Sequence, residues 1–285
     1  MKYKKYIGKL WKAIFLLMIP GLSLAQQIIS GVIKDEKSLS PIPFTTIGMI
    51  GKHFGTLTNE KGEFELSTPY FTDTDTLKIS AIGYETMALS KDQVKEIKNK
   101  VVFLRSITYD LNEVKVKPLK VRTKILGTED YSQKNCTAFM GENENWKGEQ
   151  AAIKAGNKEG QTVYIEEFSF YIIKNEYPDS LKFRIMFYEV GEKGYPSKTF
   201  LKKPIVFKTN VKQGEVKVDL RDYSVSTTGD FFISLECLEA KMEAAKFCFA
   251  GTVSVPSFYK TTAYGRWGRV KGGGGDFNVK VSYVK

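Results

Sequence analysis

Hydrophobic and polar residues alternate with a period of two along most of this chain. The alternation is clearest at 63–66, 77–81, 182–185, 215–220 and 277–283. Successive side chains of a strand point to opposite faces, so each segment predicts a strand with one buried and one solvent-exposed face. Helical spacing is weak by comparison. Only 91–98, behind a Ser90 cap, predicts a short helix, with Val94 and Ile97 facing inward.

The turns between these strands are rich in Gly, Pro, Asn and Asp, which predicts antiparallel β-sandwiches and not a parallel sheet covered by helices. We count roughly seven strands between residues 28 and 116 and eight or nine between 151 and 284. The polar stretch 118–135 predicts a linker. The sequence therefore predicts an all-β protein with two domains, a seven-stranded sandwich at 26–117 and a larger sandwich at 136–285.

The amino terminus has the pattern of a secretory signal. Five lysines precede the apolar run 13–19, which Pro20 and Gly21 end, and the small residues 23–25 follow. We therefore predict a signal peptide at 1–25, with cleavage after Ala25. The run is far shorter than the ~20 apolar residues of a membrane span, so we expect no transmembrane segment in the mature chain.

The net charge changes once this leader is removed. The whole chain is formally +11, and losing the five leader lysines leaves 38 basic and 32 acidic residues, a net charge near +6. The positive charges are spread along alternating strands and do not form one block. An exported protein of this kind is expected to contact envelope proteins or glycans and not nucleic acid.

The chain contains three cysteines, and this odd number excludes the usual disulfide framework, in which all cysteines are paired. Cys136 stands alone in the sequence. Cys237 and Cys248 flank a short segment, so a disulfide between them across a hairpin is one alternative in an oxidising compartment. Both lie in strongly apolar segments, and the favoured alternative is a pair of buried thiols.

The first half carries an ordered series of motifs. They stand at 31–35, 41–47, 55–59, 62–66, 75–84 and 111–116. Over about 27–117 this order resembles the carboxypeptidase regulatory-like domain, a transthyretin-like (prealbumin-type) sandwich common in bacterial envelope proteins. The same module precedes the plug of TonB-dependent receptors. The second half is similar to the jelly-roll-like domains that follow this module in some envelope proteins.

The resemblance implies an accessory module without catalytic activity. A zinc peptidase site needs converging His, Glu or Cys ligands, and the sole histidine of the chain is His53, inside the accessory module. No Gly-x-Ser-x-Gly elbow occurs. The glycine run 272–275 lacks the Lys-Ser/Thr of a phosphate loop and predicts a flexible hairpin tip. We therefore expect no cofactor and no metal.

Carboxylate pairs are the remaining catalytic candidates, because glycosidases need only two carboxylates. The pairs close in sequence are Glu166 with Glu167, Glu142 with Glu144, and Asp219 with Asp222. Adjacent strand residues face opposite sides, and the other pairs fall on polar faces or in loops. The favoured interpretation is a set of solvated surface charges, with a carboxylate-based hydrolase kept as an alternative.

One aromatic group predicts ligand binding. Its members come from turn-rich or strand-edge stretches of the second domain: Trp146, Tyr259, Tyr264, Arg266 and Trp267. Exposed aromatic rings stack on sugars in some jelly rolls. The alternative is that these rings close the ends of the sandwich and hydrogen-bond at its rim.

The sequence thus predicts an exported, non-catalytic binding or structural module of a bacterial cell envelope, in the periplasm or at the outer membrane or cell surface. An envelope protein or a glycan is the expected partner. A carbohydrate-binding protein that uses Trp267 and Tyr264 is the first alternative.

Overall fold

A computed structural model describes residues 27–52, 54–68, 71–97, 100–108, 121–128, 131, 133–139, 146–157, 160–240, 242–271 and 273–284. The predicted leader at 1–25, the motif at 111–116, and the residues His53, Glu142 and Glu144 lie outside this set. No helix in the described part of the chain is long and apolar enough to span a membrane.

The first body, residues 27–108, is an all-β sandwich with one short helix, as the sequence predicts. Its described elements are β1 (Gln27–Asp35), β2 (Thr46–Met49), β3 (Gly55–Leu57), β4 (Glu63–Thr68), β5 (Leu77–Ser80), β6 (Met87–Leu89), α1 (Lys91–Ile97) and β7 (Lys100–Leu104). One sheet has the order β4-β1-β7 and the other β3-β2-β5-β6. The apolar side chains of both sheets meet in one core, which includes Ile33, Ile47 and Leu66.

The second body, residues 121–284, contains the other described strands. They are β8 (Val121–Gly127), β9 (Cys136–Thr137), β10 (Gln150–Ala155), β11 (Val163–Asn175), β12 (Leu181–Val190), β13 (Pro196–Thr199), β14 (Ile205–Thr209), β15 (Gly214–Asp219), β16 (Ser226–Thr227), β17 (Phe231–Cys237), β18 (Phe247–Thr252), β19 (Ser257–Lys260), β20 (Gly268–Val270), β21 (Gly274–Gly275) and β22 (Phe277–Val284). Two short 3-10 turns lie at Glu192–Gly194 and Arg221–Tyr223.

Two sheets form the second body. The central sheet has the order β13-β12-β17-β10-β19-β20, with β14 also paired to β12. The outer sheet has the order β21-β18-β11-β22-β8, with β15 and β16 paired to β11 and β9 paired to β18. Between them lies a core rich in phenylalanine, in which rings such as Phe170, Phe183 and Phe249 pack at centroid distances of 6.4 to 6.5 Å.

Residues 121–127 correct the predicted linker at 118–135. They form β8, which pairs antiparallel with β22 from Val121 opposite Val284 to Gly127 opposite Asn278. None of the seven residues is buried. An edge strand without a buried face has no clear alternation of apolar and polar residues, and for this reason the sequence did not reveal it.

The glycine run also differs from its prediction as a flexible hairpin tip. Gly274 and Gly275 form the buried strand β21, which pairs with β18. A Cβ at Gly274 would overlap the Ser257 hydroxyl, and one at Gly275 would overlap the Phe277 ring. Glycine is therefore needed at both positions because neighbouring segments of the chain approach closely, and a larger residue would push those segments apart.

The disulfide joins a pair of cysteines that the sequence did not suggest. Cys136 in β9 is bonded to Cys248 in β18, with Cα atoms 5.6 Å apart and 112 positions apart in sequence. The predicted Cys237–Cys248 bridge is wrong, because Cys237 lies in the core beside Met242 while Cys248 lies next to β9. Cys237 is a buried free thiol, and burial raises its pKa well above the usual value. The interpretation as buried thiols is thus right for Cys237 alone.

The first body covers the second face of the central sheet. Strand β17 is buried along its whole length, and so is β12 at residues 183–188, because the outer sheet covers one face and the first body the other. Leu57 of the first body packs with Leu238 and Ala263 of the second. The backbone of Gly48 approaches Tyr264 so closely that a Cβ there would lie 3.1 Å from the Tyr264 ring. The two sandwiches therefore share a packed interface.

Candidate functional site

The hairpin of β19 and β20 carries most of the predicted ligand-binding residues. Tyr259 lies opposite Gly268 in the register of this hairpin. A Cβ at Gly268 would overlap the Tyr259 ring, so the ring rests on the bare backbone of that glycine. Residues 261–267 form the tip of the hairpin, which reaches the first body.

Tyr264, at this tip, fastens the two bodies together. Its hydroxyl and the Ser80 hydroxyl are hydrogen-bonded, and Lys78 Nζ lies 5.5 Å from the centre of its ring. Burial raises the pKa of Tyr264 to about 12. The ring that was a candidate for sugar stacking thus contacts protein in this structure.

Trp267 and Arg266 follow Tyr264 at the same end of the hairpin. The Trp267 ring meets Tyr188 edge-on at 5.6 Å between centroids, and Lys260 Nζ lies 5.0 Å above it. Arg266 is exposed and lies next to Gly51 of the first body. Arg266 therefore lies beside the first body, and Trp267 packs against Tyr188 of the central sheet.

Trp146 is separated from the others. Its side chain is only 3% exposed and packs against Phe139, with ring centroids 5.7 Å apart. The five candidate residues therefore do not form one exposed groove, because Trp146 belongs to the core of the second body.

A buried ion pair at the interface was missed by sequence reasoning. Arg184 Nε donates to Glu236 Oε2 at 2.5 Å, and Arg184 Nη1 donates to the Phe44 carbonyl oxygen at 2.7 Å. Arg184 is 4% exposed and Glu236 is fully buried. The alternation at 182–185 assigned Arg184 to a solvent-exposed face. The one available signal was Glu236 itself, a lone charge inside the apolar run 231–237.

Polar side chains surround this ion pair on the central sheet. Tyr188 donates its hydroxyl to Gln150 Oε1 at 2.7 Å, and Ser234 donates to the same oxygen at 3.2 Å. Burial, with a further contribution from Glu236, raises the pKa of Tyr188. Burial lowers the pKa of Lys260 to about 8, and Glu236 opposes that change. The network makes the centre of one face of the central sheet polar. This is the face that the first body covers.

A pocket of about 260 Å³ lies beside the same hairpin, between the central and outer sheets. Strands β10 and β19 form one wall, and residues 137–139 with 273–274 form the other. Tyr259 is the only one of the five predicted residues that lines this pocket. The pocket was not predictable from the sequence, because its walls come from four separate segments of the chain.

The carboxylates that were catalytic candidates lie on the surface where the structure describes them. Asp219 is paired with Arg221, which lowers the pKa of the carboxyl to about 2. Glu167 lies 3.8 Å from Lys217. Among the described residues, no group of three or more His, Cys, Asp or Glu side chains is placed to hold a metal ion.

Residues 29–133 match the family model described as CarboxypepD_reg-like domain. This part of the chain belongs to that family. The match covers the first body from residue 29 and continues through β8. It therefore extends past residue 117, the end of the resemblance seen in the sequence. The CarboxypepD_reg-like domain docks through its sheet β3-β2-β5-β6, and the outer face of its other sheet, β4-β1-β7, is turned away from the second body.

The other comparisons add no argument. No curated protein matches the chain. Two solved structures of infectious bursal disease virus, the T13 viral particle and the VP2 subviral particle, align with 90% and 91% of this chain at 9% identity. Their TM-scores are 0.25 and 0.20, and the alignments cover 61% and 64% of those chains, less than two thirds of their length.

Proposed function

We propose that this protein is an exported, non-catalytic interaction module of a bacterial cell envelope. The CarboxypepD_reg-like domain carries this proposal, because domains of this family suggest a β-sandwich interaction module. The second body holds that domain in place through hydrogen bonds of Tyr264 and Arg184 to residues of the first body.

The Cys136–Cys248 disulfide supports export. Disulfides persist in oxidising compartments such as the periplasm and the cell surface, and are rare in the reducing cytosol. The bond is consistent with the secretory pattern of the leader at 1–25, which was predicted independently of the cysteines.

Export has a direct test. The protein isolated from fractionated cells is expected in the envelope fractions, with Gln26 as its first residue by mass spectrometry. Cys136 and Cys248 should resist alkylation until a reductant is added, and Cys237 should react only after denaturation. A protein that stays in the cytosol with an intact leader and three free thiols would contradict the proposal.

The exposed face of the CarboxypepD_reg-like domain is the surface that we propose for a protein partner. Val101 and Phe103, on the edge strand β7, are each 43% exposed, and Ile28 on β1 is 45% exposed. These residues lie on the face of β4-β1-β7 opposite to the core. They leave exposed apolar side chains, beside the charged residues Lys34, Glu63 and Glu65, on the side of this domain that the second body does not cover.

Replacing Phe103 by glutamate is expected to weaken capture of the partner, because a charge would have to be desolvated in the interface. Crosslinking in isolated envelopes, followed by mass spectrometry, would identify the protein bound to the wild type. The Val253→Glu variant is the matched control, since Val253 is 73% exposed on the second body. Equal yields of that protein from both variants would rule out this face as the binding surface.

A further inference from the structure

The pocket between the two sheets has the properties of a ligand site. We propose that it binds one neutral sugar unit, either a free monosaccharide or the end of a glycan chain. The inference rests on the proposed function, since it names the chemistry of one partner of the exported module. It concerns a different surface from the β4-β1-β7 face.

The first argument is the fixed position of an aromatic wall. Tyr259 lines the pocket with its ring held against the backbone of Gly268. Phe139 lies on the opposite wall, where its ring meets Phe249 at 5.4 Å and Trp146 at 5.7 Å. Sugar rings present apolar C–H faces, and rigid aromatic surfaces bind such faces without losing much side-chain entropy.

The second argument is a buried hydroxyl that lacks a partner. Ser257 lines the pocket and is 3% exposed, and its Oγ lies against Gly274 without a hydrogen-bond partner among the described residues. A turn about its χ1 angle is needed to point this oxygen at a ligand. Leaving a buried polar group unsatisfied costs about 1–3 kcal/mol. A ligand hydroxyl that bonds to Ser257 would recover part of this cost.

The third argument is the choice of polar groups in the lining. Beside Ser257 the lining includes Tyr259 and Thr261, whose side chains carry hydroxyls, and Glu149, a carboxylate residue that is 2% exposed. Hydroxyls both donate and accept, and carboxylates accept, so the set is complementary to a ligand with several hydroxyls. Lys260 also borders the pocket, but its Nζ lies over Trp267. The buried carboxylate disfavours an anionic ligand.

The fourth argument is size. The volume of about 260 Å³ is slightly below the ~300–1,000 Å³ of pockets that hold drug-sized ligands. One sugar ring is therefore a better match than a longer segment of glycan, whose other units would remain outside the pocket.

The wall formed by residues 137–139 is fastened at two points. The Cys136–Cys248 disulfide holds its beginning, and Thr137 Oγ1 donates to the Gly273 carbonyl oxygen at 3.0 Å. Such a wall is pre-organised, which lowers the entropic cost of binding.

The experiment measures binding to the purified, oxidised protein without leader by ligand-observed NMR and calorimetry. The probes are the methyl glycosides of glucose, galactose, mannose and N-acetylglucosamine, and then a tetrasaccharide of whichever sugar binds. Equal affinity for the monosaccharide and the tetrasaccharide would assign the site to one unit. Tighter binding of the tetrasaccharide would assign it to a chain end, with contacts outside the pocket.

Tyr259→Ala is expected to weaken binding about tenfold, which corresponds to about 1.4 kcal/mol. Ser257→Ala removes one hydroxyl from a wall that does not use it for folding, and is expected to weaken binding about fivefold, within the range for one net hydrogen bond. Tyr264→Phe and Trp267→Ala are the controls, because neither residue lines the pocket. They should leave sugar affinity unchanged, while Trp267→Ala lowers the melting temperature.

Three results would overturn the inference: no probe binds the wild type, Ser257→Ala binds as tightly as the wild type, or the two control variants lose as much affinity as Tyr259→Ala. The Ser257 variant keeps the test valid if Tyr259→Ala fails to fold. None of these results bears on export or on the protein partner, so the proposed function stands or fails separately.

Discussion

Replacing Arg184 by alanine is expected to lower the free energy of unfolding by about 3–5 kcal/mol, because it leaves a buried charge without its partner. The change removes the partner of Glu236, a fully buried carboxylate whose Oε1 already lacks a hydrogen bond from the described residues. It also removes the hydrogen bond that Arg184 donates to the Phe44 carbonyl oxygen of the CarboxypepD_reg-like domain. Chemical denaturation monitored by tryptophan fluorescence would measure the loss.

The matched control is Arg221→Ala, which breaks the exposed pair with Asp219 and should change stability little. A double variant tests whether the lost stability comes from the unpaired buried charge. Replacing Arg184 by Met and Glu236 by Leu together should recover most of the stability that the single change loses, because no unpaired charge remains. If Arg184→Ala is no worse than Arg221→Ala, the buried ion pair and the hydrogen bond to Phe44 do not stabilise the protein.

Replacing both Cys136 and Cys248 by serine is expected to lower the free energy of unfolding by about 2–5 kcal/mol. The bond closes a loop across 112 positions, and a long loop restricts the unfolded chain more than a short one. Adding a reductant should destabilise the wild type by the same amount and leave the double variant unchanged. A double variant as stable as the oxidised wild type would show that the bond adds nothing to folding.

The strands and their buried faces could be predicted because they follow from the order of apolar and polar residues within short segments of the sequence. Phe64 and Leu66 are buried while Glu63 and Glu65 are exposed, as the alternation requires. The described helix α1, Lys91–Ile97, lies within the predicted segment 91–98, with Val94 buried. The family of the first body was predictable for the same reason, since its motifs follow in order along a continuous stretch of chain.

The features that escaped prediction depend on contacts between distant segments. Arg184 has the sequence pattern of a surface residue, and only the docking of the CarboxypepD_reg-like domain buries it. Cys136 and Cys248 are far apart in sequence, so their proximity follows from the pairing of β9 with β18. The pocket depends on the same pairing, and the sequence supplied just one of its residues, Tyr259. Trp146 was a candidate that lies in the core, because core rings and binding rings belong to the same residue types and the sequence does not separate them.

The central sheet has protein on both sides, and this affects how such a chain can be inherited. A domain whose contacts stop at its own boundary can be moved by recombination from one gene to another. Here, loss of the CarboxypepD_reg-like domain would expose the apolar residues and the Arg184–Glu236 ion pair of β12 and β17 to water, and sheets uncovered in this way tend to aggregate. The two halves are therefore expected to be passed on together, with changes on one side of the contact matched by changes on the other.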